Sequence, residues 1–106
     1  MLIYFSYYIS RMRQNSKDVD ELISILKRAA ADSQLLRDFL TDLLTPTELH
    51  EVASRWQIVK QLDREVPQWE ITNHLRVGIG TVERGVRMLR APDGGFNQML
   101  RRLRSR

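Results

Sequence analysis

The sequence predicts an all-α protein of six helices with short connections. Three observations carry this. Apolar residues recur at helical spacing in one segment after another. Helix-starting and helix-stopping residues fall between those segments: Asp32-Ser33, Thr45-Pro46, Pro67, Arg76-Val77-Gly78 and Pro92-Asp93-Gly94-Gly95. No alternating strand pattern, internal repeat or low-complexity tract occurs outside the first residues.

The N-terminus, MLIYFSYYIS, is apolar and aromatic, lacks a basic n-region and a small-residue cleavage site, and makes a poor signal peptide. It could be a short strand, a partner-binding arm or a tail, and residues 1–16 are expected to form a poorly ordered tail ahead of a helical domain over 17–106. Ser16 is expected to cap the first helix, with Asp18, Asp20 and Glu21 near its positive end. Val19, Leu22, Ile23, Leu26, Ala29 and Ala30 form its apolar stripe. The second helix, about 34–44, carries Leu35, Leu36, Phe39, Leu40, Leu43 and Leu44 on more than one face, so it needs cover on each. In so short a chain a second subunit could supply part of that cover.

Thr45-Pro46-Thr47-Glu48 is a strong helix start, with Thr45 as N-cap, Pro46 in the first position and Glu48 completing a capping box. That helix should run to about Arg64 with Leu49, Val52, Ala53, Trp56, Val59 and Leu62 on one face and Arg55 on its flank. Pro67 is expected in the same first-turn role for the next helix. A last helix, about 96–104, carries Phe96, Met99, Leu100 and Leu103.

At 106 residues the chain makes one domain, and its net charge of +4 favours an anionic partner without identifying one. Arg76, Arg84, Arg87 and Arg90 fall together, and Arg101, Arg102, Arg104 and Arg106 crowd the C-terminus, whereas acids gather in residues 18–51. A basic C-terminal half fits a nucleic-acid face; the last arginines equally suit a solvated tail. With no cysteine, disulfides and thiolate metal sites are excluded. His50 and His74 have no second ligand at metal spacing, and no apolar run approaches a membrane span of about 20 residues. No constellation looks catalytic, and no metal or obligatory cofactor is expected. Gly78-Ile79-Gly80 is only a fragment of a dinucleotide fingerprint, following no strand and lacking the third glycine.

The segment PQWEITNHLRVGIGTVERGVRMLRA, residues 67–91, reads as two short helices around a tight turn. Ile71 and Leu75 lie on one face of the first. Ile79, Val82, Val86 and Leu89, at spacings of 3, 4 and 3, stripe the second. Gly80, Glu83, Arg84 and Arg87 occupy its other face. This is the layout of a helix-turn-helix reader of the major groove, or of an ordinary helical hairpin in a bundle.

LLTPTELHEVASRWQIVKQL, then VPQWEI, then VGIGTVERGVRML resembles the Trp repressor family over about residues 17–104. The most specific parts are Leu44-Thr45-Pro46, Arg55, Gln68 and Glu70, and Gly78-Ile79-x-Thr81-x-x-Arg84-Gly85. The resemblance implies a six-helix subunit in an intertwined homodimer, binding palindromic double-stranded DNA with half-sites about one helical turn apart. Its DNA-facing positions would be Gln68, Trp69, Thr72, Arg76, Gly78, Ile79, Gly80, Glu83 and Arg87. It also implies an L-tryptophan corepressor or another small amino-acid effector. The positions for it are Leu44 (backbone carbonyl to the amine), Thr45 (hydroxyl to the carboxylate), Arg55 and Arg84 (flanking the indole), Thr81, Gly85 and Met88. Arg84 would also pair with the carboxylate. Read without the family, Thr45 is a helix cap, Arg55 and Arg84 pair with acids, and Gly85 permits close helix packing.

The chain departs from the family at several of these positions. Met88 replaces a small hydroxyl residue near the ligand amine; a thioether gives no such hydrogen bond and can fill the pocket, which counts against tryptophan. Trp69 and Thr72 are uncharged where basic residues are usual. Glu83 replaces a threonine; an acid there repels phosphate but can accept from cytosine N4. Arg76 replaces the turn glycine, at a cost of roughly 1–2 kcal/mol if the turn is left-handed there. The function expected is that of a cytoplasmic, non-enzymatic transcriptional regulator, a repressor acting by operator occlusion. The alternative is a helical dimerisation or interaction module of the same fold that has lost specific DNA binding.

Overall fold

The computed structural model describes the backbone of residues 2–105 and the side chains of residues 16–105. Six helices follow one another: α1 (Leu2–Ala29), α2 (Ser33–Leu43), α3 (Pro46–Asp63), α4 (Gln68–Leu75), α5 (Ile79–Leu89) and α6 (Gly95–Arg104). The described residues contain no strand. They fall into two compact units, one ending at Thr45 and one beginning at Pro46.

In the first unit α1 packs against α2. Helix α1 begins at Leu2, so Ser16 lies inside it rather than capping it, and Asp18, Asp20 and Glu21 are mid-helix. Nothing between Leu2 and Ser16 stops the helix: the segment has no proline or glycine. The tail expected over residues 1–16 falls mainly on residues whose side chains lie outside those described. Asp32 begins α2 from an extended backbone; its carboxylate accepts from the amides of Gln34 (3.0 Å) and Leu35 (3.3 Å). No residue of α2 is fully buried, and Leu35 and Leu43 stay 51% and 45% exposed. In α1, Val19, Ile23 and Ile25 are similarly open while Ala29 is buried.

The second unit holds the core of Ile58, Ile71 and Val82, with Leu62, Val66, Leu75 and Val77 against it. Ile58, Val59, Ile71 and Val82 are essentially inaccessible, and burial of such side chains contributes about 1.5–3 kcal/mol each. One sequence expectation changes here. The face of α3 turned to this core includes Ile58, whereas Val52 and Ala53, expected beside Val59, are exposed. Helix α3 therefore buries the part of its surface near its C-terminal end, where α4 and α5 cover it.

The turn from α3 to α4 is a Schellman motif without glycine. The Val66 amide donates to the Gln61 carbonyl (3.0 Å) and the Glu65 amide to that of Leu62 (3.0 Å). Glu65 takes the left-handed position at φ 63°. Val66 then folds onto the core beside Leu62, the apolar contact that accompanies this motif. Pro67 stands one position earlier than expected, as the extended N-cap of α4 at φ −60° and ψ 145° rather than as its first helical residue.

Candidate nucleic-acid interface

Helices α4 and α5 form the hairpin, and α5 also packs against α3 and α6. Arg76 makes the turn between them, in left-handed geometry at φ 53° and ψ 45°. Gly78, the N-cap of α5, has φ −72°, a conformation any residue can adopt. The turn thus places its strained backbone on an arginine and leaves its glycine unstrained. Gly78 serves as an open N-cap whose carbonyl accepts from the Thr81 amide at 3.1 Å.

Burial sorts the faces of α5. Val82 and Gly85 are buried, and Val86 and Leu89 are partly buried. Ile79, placed by periodicity on the same stripe, is instead 51% exposed. It sits at the open first turn, beyond the reach of the core. Gly80, Glu83, Arg84 and Arg87 are exposed as well. The glycines of α5 have opposite reasons to exist. A Cβ on Gly85 would lie 3.1 Å from Ile58 Cγ2 and 3.2 Å from Leu62 Cδ1, so α5 and α3 approach too closely there for a side chain. A Cβ on Gly80 would meet nothing within 4 Å. Internal packing does not require that glycine, although it lowers helix stability by about 1 kcal/mol relative to alanine.

Of the remaining positions expected to face DNA, Gln68, Trp69 and Arg76 are exposed, Trp69 at 66%. Thr72 is partly buried, and its hydroxyl donates to the Trp69 carbonyl at 2.7 Å. That hydrogen is spent within α4, leaving only the acceptor side of the oxygen available.

A shallow cleft opens between α3, α5 and α6, lined by Arg55, Ile58, Thr81, Arg84, Gly85 and Phe96. It brings together four of the residues expected to hold an effector: Arg55, Thr81, Arg84 and Gly85. Met88 is not among the lining residues and is 39% exposed. Leu44 and Thr45 end the first unit, Leu44 as the C-cap of α2. Periodicity alone does not single out Ile58 or Phe96 for the cleft. Phe96 also meets Trp56, with ring centroids 6.4 Å apart. Its cavity volume is only about 10 Å³, far below the roughly 300–1,000 Å³ of typical small-molecule sites. An occupant would have to widen it.

Helix α6 braces the end of α5. The Asn97 side-chain Nδ2 donates to the Leu89 carbonyl (3.0 Å) and the Ala91 carbonyl (2.8 Å), satisfying groups left open where α5 stops. Gln98 donates to the Asp93 carbonyl (2.7 Å) and Arg101 to that of Pro92 (2.8 Å). Arg104 pairs with Asp63 at the end of α3.

Two short helices around a left-handed turn, the second anchored by Val82 and Gly85 and open along its glycine and arginine face, define a helix-turn-helix protein. The chain belongs to the Trp repressor family: the family model for Trp repressor protein matches residues 17–104. Among relatives, a Trp operon repressor homolog from Actinobacillus succinogenes is 41% identical over 90 residues, covering 84% of this chain and 85% of the relative. Homologs of the same description from Haemophilus influenzae and Mannheimia succiniciproducens are each 37% identical. They cover 89% of this chain and 90% of the relative, and 90% and 91%, respectively. The family is one of DNA-binding transcriptional repressors, and this chain carries its six-helix, all-α subunit.

Proposed function

We propose that this protein represses transcription as a homodimer, placing α5 of each subunit in the major groove of a palindromic operator. The observation that carries this reading is the open face at the start of α5. Ile79, Gly80, Glu83 and Arg87 are exposed there, and Gly80 has no internal reason to be glycine. A helix with a glycine on the open face of its first turn can approach base edges closely there. Arg76, Arg87 and Arg90, all exposed, supply phosphate contacts, which give affinity without sequence information. The dimer is supported by the apolar residues that α1 and α2 leave exposed. No helix among the described residues is long and apolar enough to cross a membrane, and a repressor working on chromosomal DNA belongs in the cytoplasm.

The cleft beside Arg55 and Arg84 is the proposed effector site. Two guanidinium groups there suit a molecule that offers a carboxylate and a planar ring, such as an amino acid with an aromatic side chain. An effector that wedges between α3 and α5 would set the angle of the reading helix and so switch operator affinity. The relatives are named for repression of a trp operon, which makes L-tryptophan the first effector to test.

The test is fluorescence anisotropy with DNA from upstream of the protein's own gene and of tryptophan-biosynthetic genes, across a salt series, with and without saturating L-tryptophan. Tight binding strengthened by tryptophan is the expected result. Binding indifferent to tryptophan would keep the repressor and remove that effector. Failure to bind either DNA above random DNA at low salt would favour the second reading, an interaction module. Trp69, 66% exposed at the start of α4, is the observation on that side.

A further inference from the structure

We infer that Glu83 is a base-reading residue that makes the operator selective for cytosine at one position in each half-site; this rests on the repressor reading above. Glu83 is four residues after Ile79 and three after Gly80, so it stands one turn along their face. Val82 and Gly85 hold α5 from the other side, which turns Glu83 away from the core. The residue is exposed, and nothing stands over Gly80 in front of it. In a helix-turn-helix the first turns of the second helix are the ones that meet base edges.

Among the described residues no ion pair engages this carboxylate. The pairs there join Arg101 to Asp93 and Arg104 to Asp63. Arg87, four residues on and also exposed, does not close onto Glu83. The reading face therefore presents a separate acceptor and a separate cation, which suits one contact to a base and one to a phosphate.

An ionised carboxylate only accepts hydrogen bonds. In the major groove guanine offers N7 and O6 and thymine offers O4, all acceptors that would repel it. Adenine offers its N6 donor beside the N7 acceptor, so the second carboxylate oxygen meets a lone pair. Cytosine offers the N4 amino group without a neighbouring acceptor on the same base. An acid among phosphates also carries repulsion at every sequence, relieved only where a donor faces it. Glu83 thus selects by a penalty on other bases as much as by its bond to cytosine.

The experiment is selection from a random duplex pool followed by sequencing, run with the wild-type protein, Glu83→Gln and Glu83→Ala. Circular dichroism checks that each variant keeps its helical signal, as an exposed position should. The wild type should enrich a palindrome with one cytosine per half-site preferred roughly tenfold over other bases. Glu83→Ala should lose preference at that position alone. Glu83→Gln should move it toward adenine, whose N6 and N7 match a side-chain amide. If both variants bind all sequences more tightly while the enriched motif stays unchanged, Glu83 only repels phosphate and the inference is overturned. If the wild type enriches no motif, the repressor reading fails and this inference with it, so the two failures are distinguishable.

Discussion

Arg76 and the two glycines of α5 show how single residues set the geometry of the hairpin. Arg76 holds a left-handed backbone that costs an L-residue about 1–2 kcal/mol, partly offset because glycine there would lose more chain entropy on folding. Arg76→Gly should therefore raise stability by about 0.5–1 kcal/mol, seen as a higher urea midpoint with an unchanged m-value. A lower midpoint would mean that the arginine side chain holds the turn by interactions worth more than its strain. The glycines of α5 should respond oppositely to the same change. Gly80→Ala adds a methyl group in open space and should stabilise by up to about 1 kcal/mol. Gly85→Ala drives a methyl group against Ile58 and Leu62 and should destabilise by about 1–2 kcal/mol after its helix-propensity gain. If Gly80→Ala also weakens DNA binding while raising stability, close approach at the first turn is the reason for the glycine.

At the scale of elements, α5 is the helix proposed to read DNA, and α3, α4 and α6 pack against it or its hairpin partner. The packing of α5 on α3 is close because Gly85 lets the axes approach, and the cleft of Arg55 and Arg84 lies along the same junction. A molecule entering that cleft would push on the junction that orients the reader. The far end of α5 is held by Asn97 through two carbonyls. Asn97→Ala should cost about 1–2 kcal/mol in urea denaturation, since it removes two neutral hydrogen bonds near a helix end. Hydrogen exchange should speed up over residues 85–92 more than over α4. Uniform acceleration across the second unit would show that Asn97 supports the whole fold rather than the end of α5. Arg87 acts at this scale as well, as the cation one turn beyond Glu83. Arg87→Ala should weaken DNA binding and reduce the slope of log affinity against log salt by about 0.9 for each phosphate that Arg87 neutralises. An unchanged slope would show that Arg87 touches no phosphate.

At the scale of the whole molecule, the two units differ in how far they complete themselves. The second unit has its own core, and Ile58, Ile71 and Val82 are sealed within it. The first leaves Val19, Ile23, Ile25, Leu35 and Leu43 each more than two-fifths exposed, and α2 has no buried residue at all. Helices with that much apolar surface open need cover. If a second copy supplies it, the urea midpoint should rise with protein concentration, because unfolding then includes dissociation. Light scattering at micromolar concentration should give twice the chain mass. A single-chain mass with a concentration-independent midpoint would rule out the dimer under those conditions.

Local rules in the sequence were enough for the helical class, the six segments and the positions of the breaks. Those features depend on spacing and on residues such as Pro46, Pro67 and Pro92, which act within a few residues of themselves. The hairpin was legible for the same reason, and the motifs around Gly78 and Arg84 carried the family. Other features depended on what the chain meets in three dimensions. Helix α1 passes through Ser16 because a capping residue ends nothing where the backbone before it can remain helical. Ile58 rather than Val52 is buried because α4 and α5 cover only one end of α3. Ile79 leaves its apolar stripe because the core stops short of the first turn of α5. Phe96 reaches the cleft only because α6 packs against α5. Local pattern in the chain set which segments are helices and marked the residues proposed to read DNA. The tertiary structure decided which faces were left open to do so, because burial depends on neighbours distant in the chain that no local pattern records.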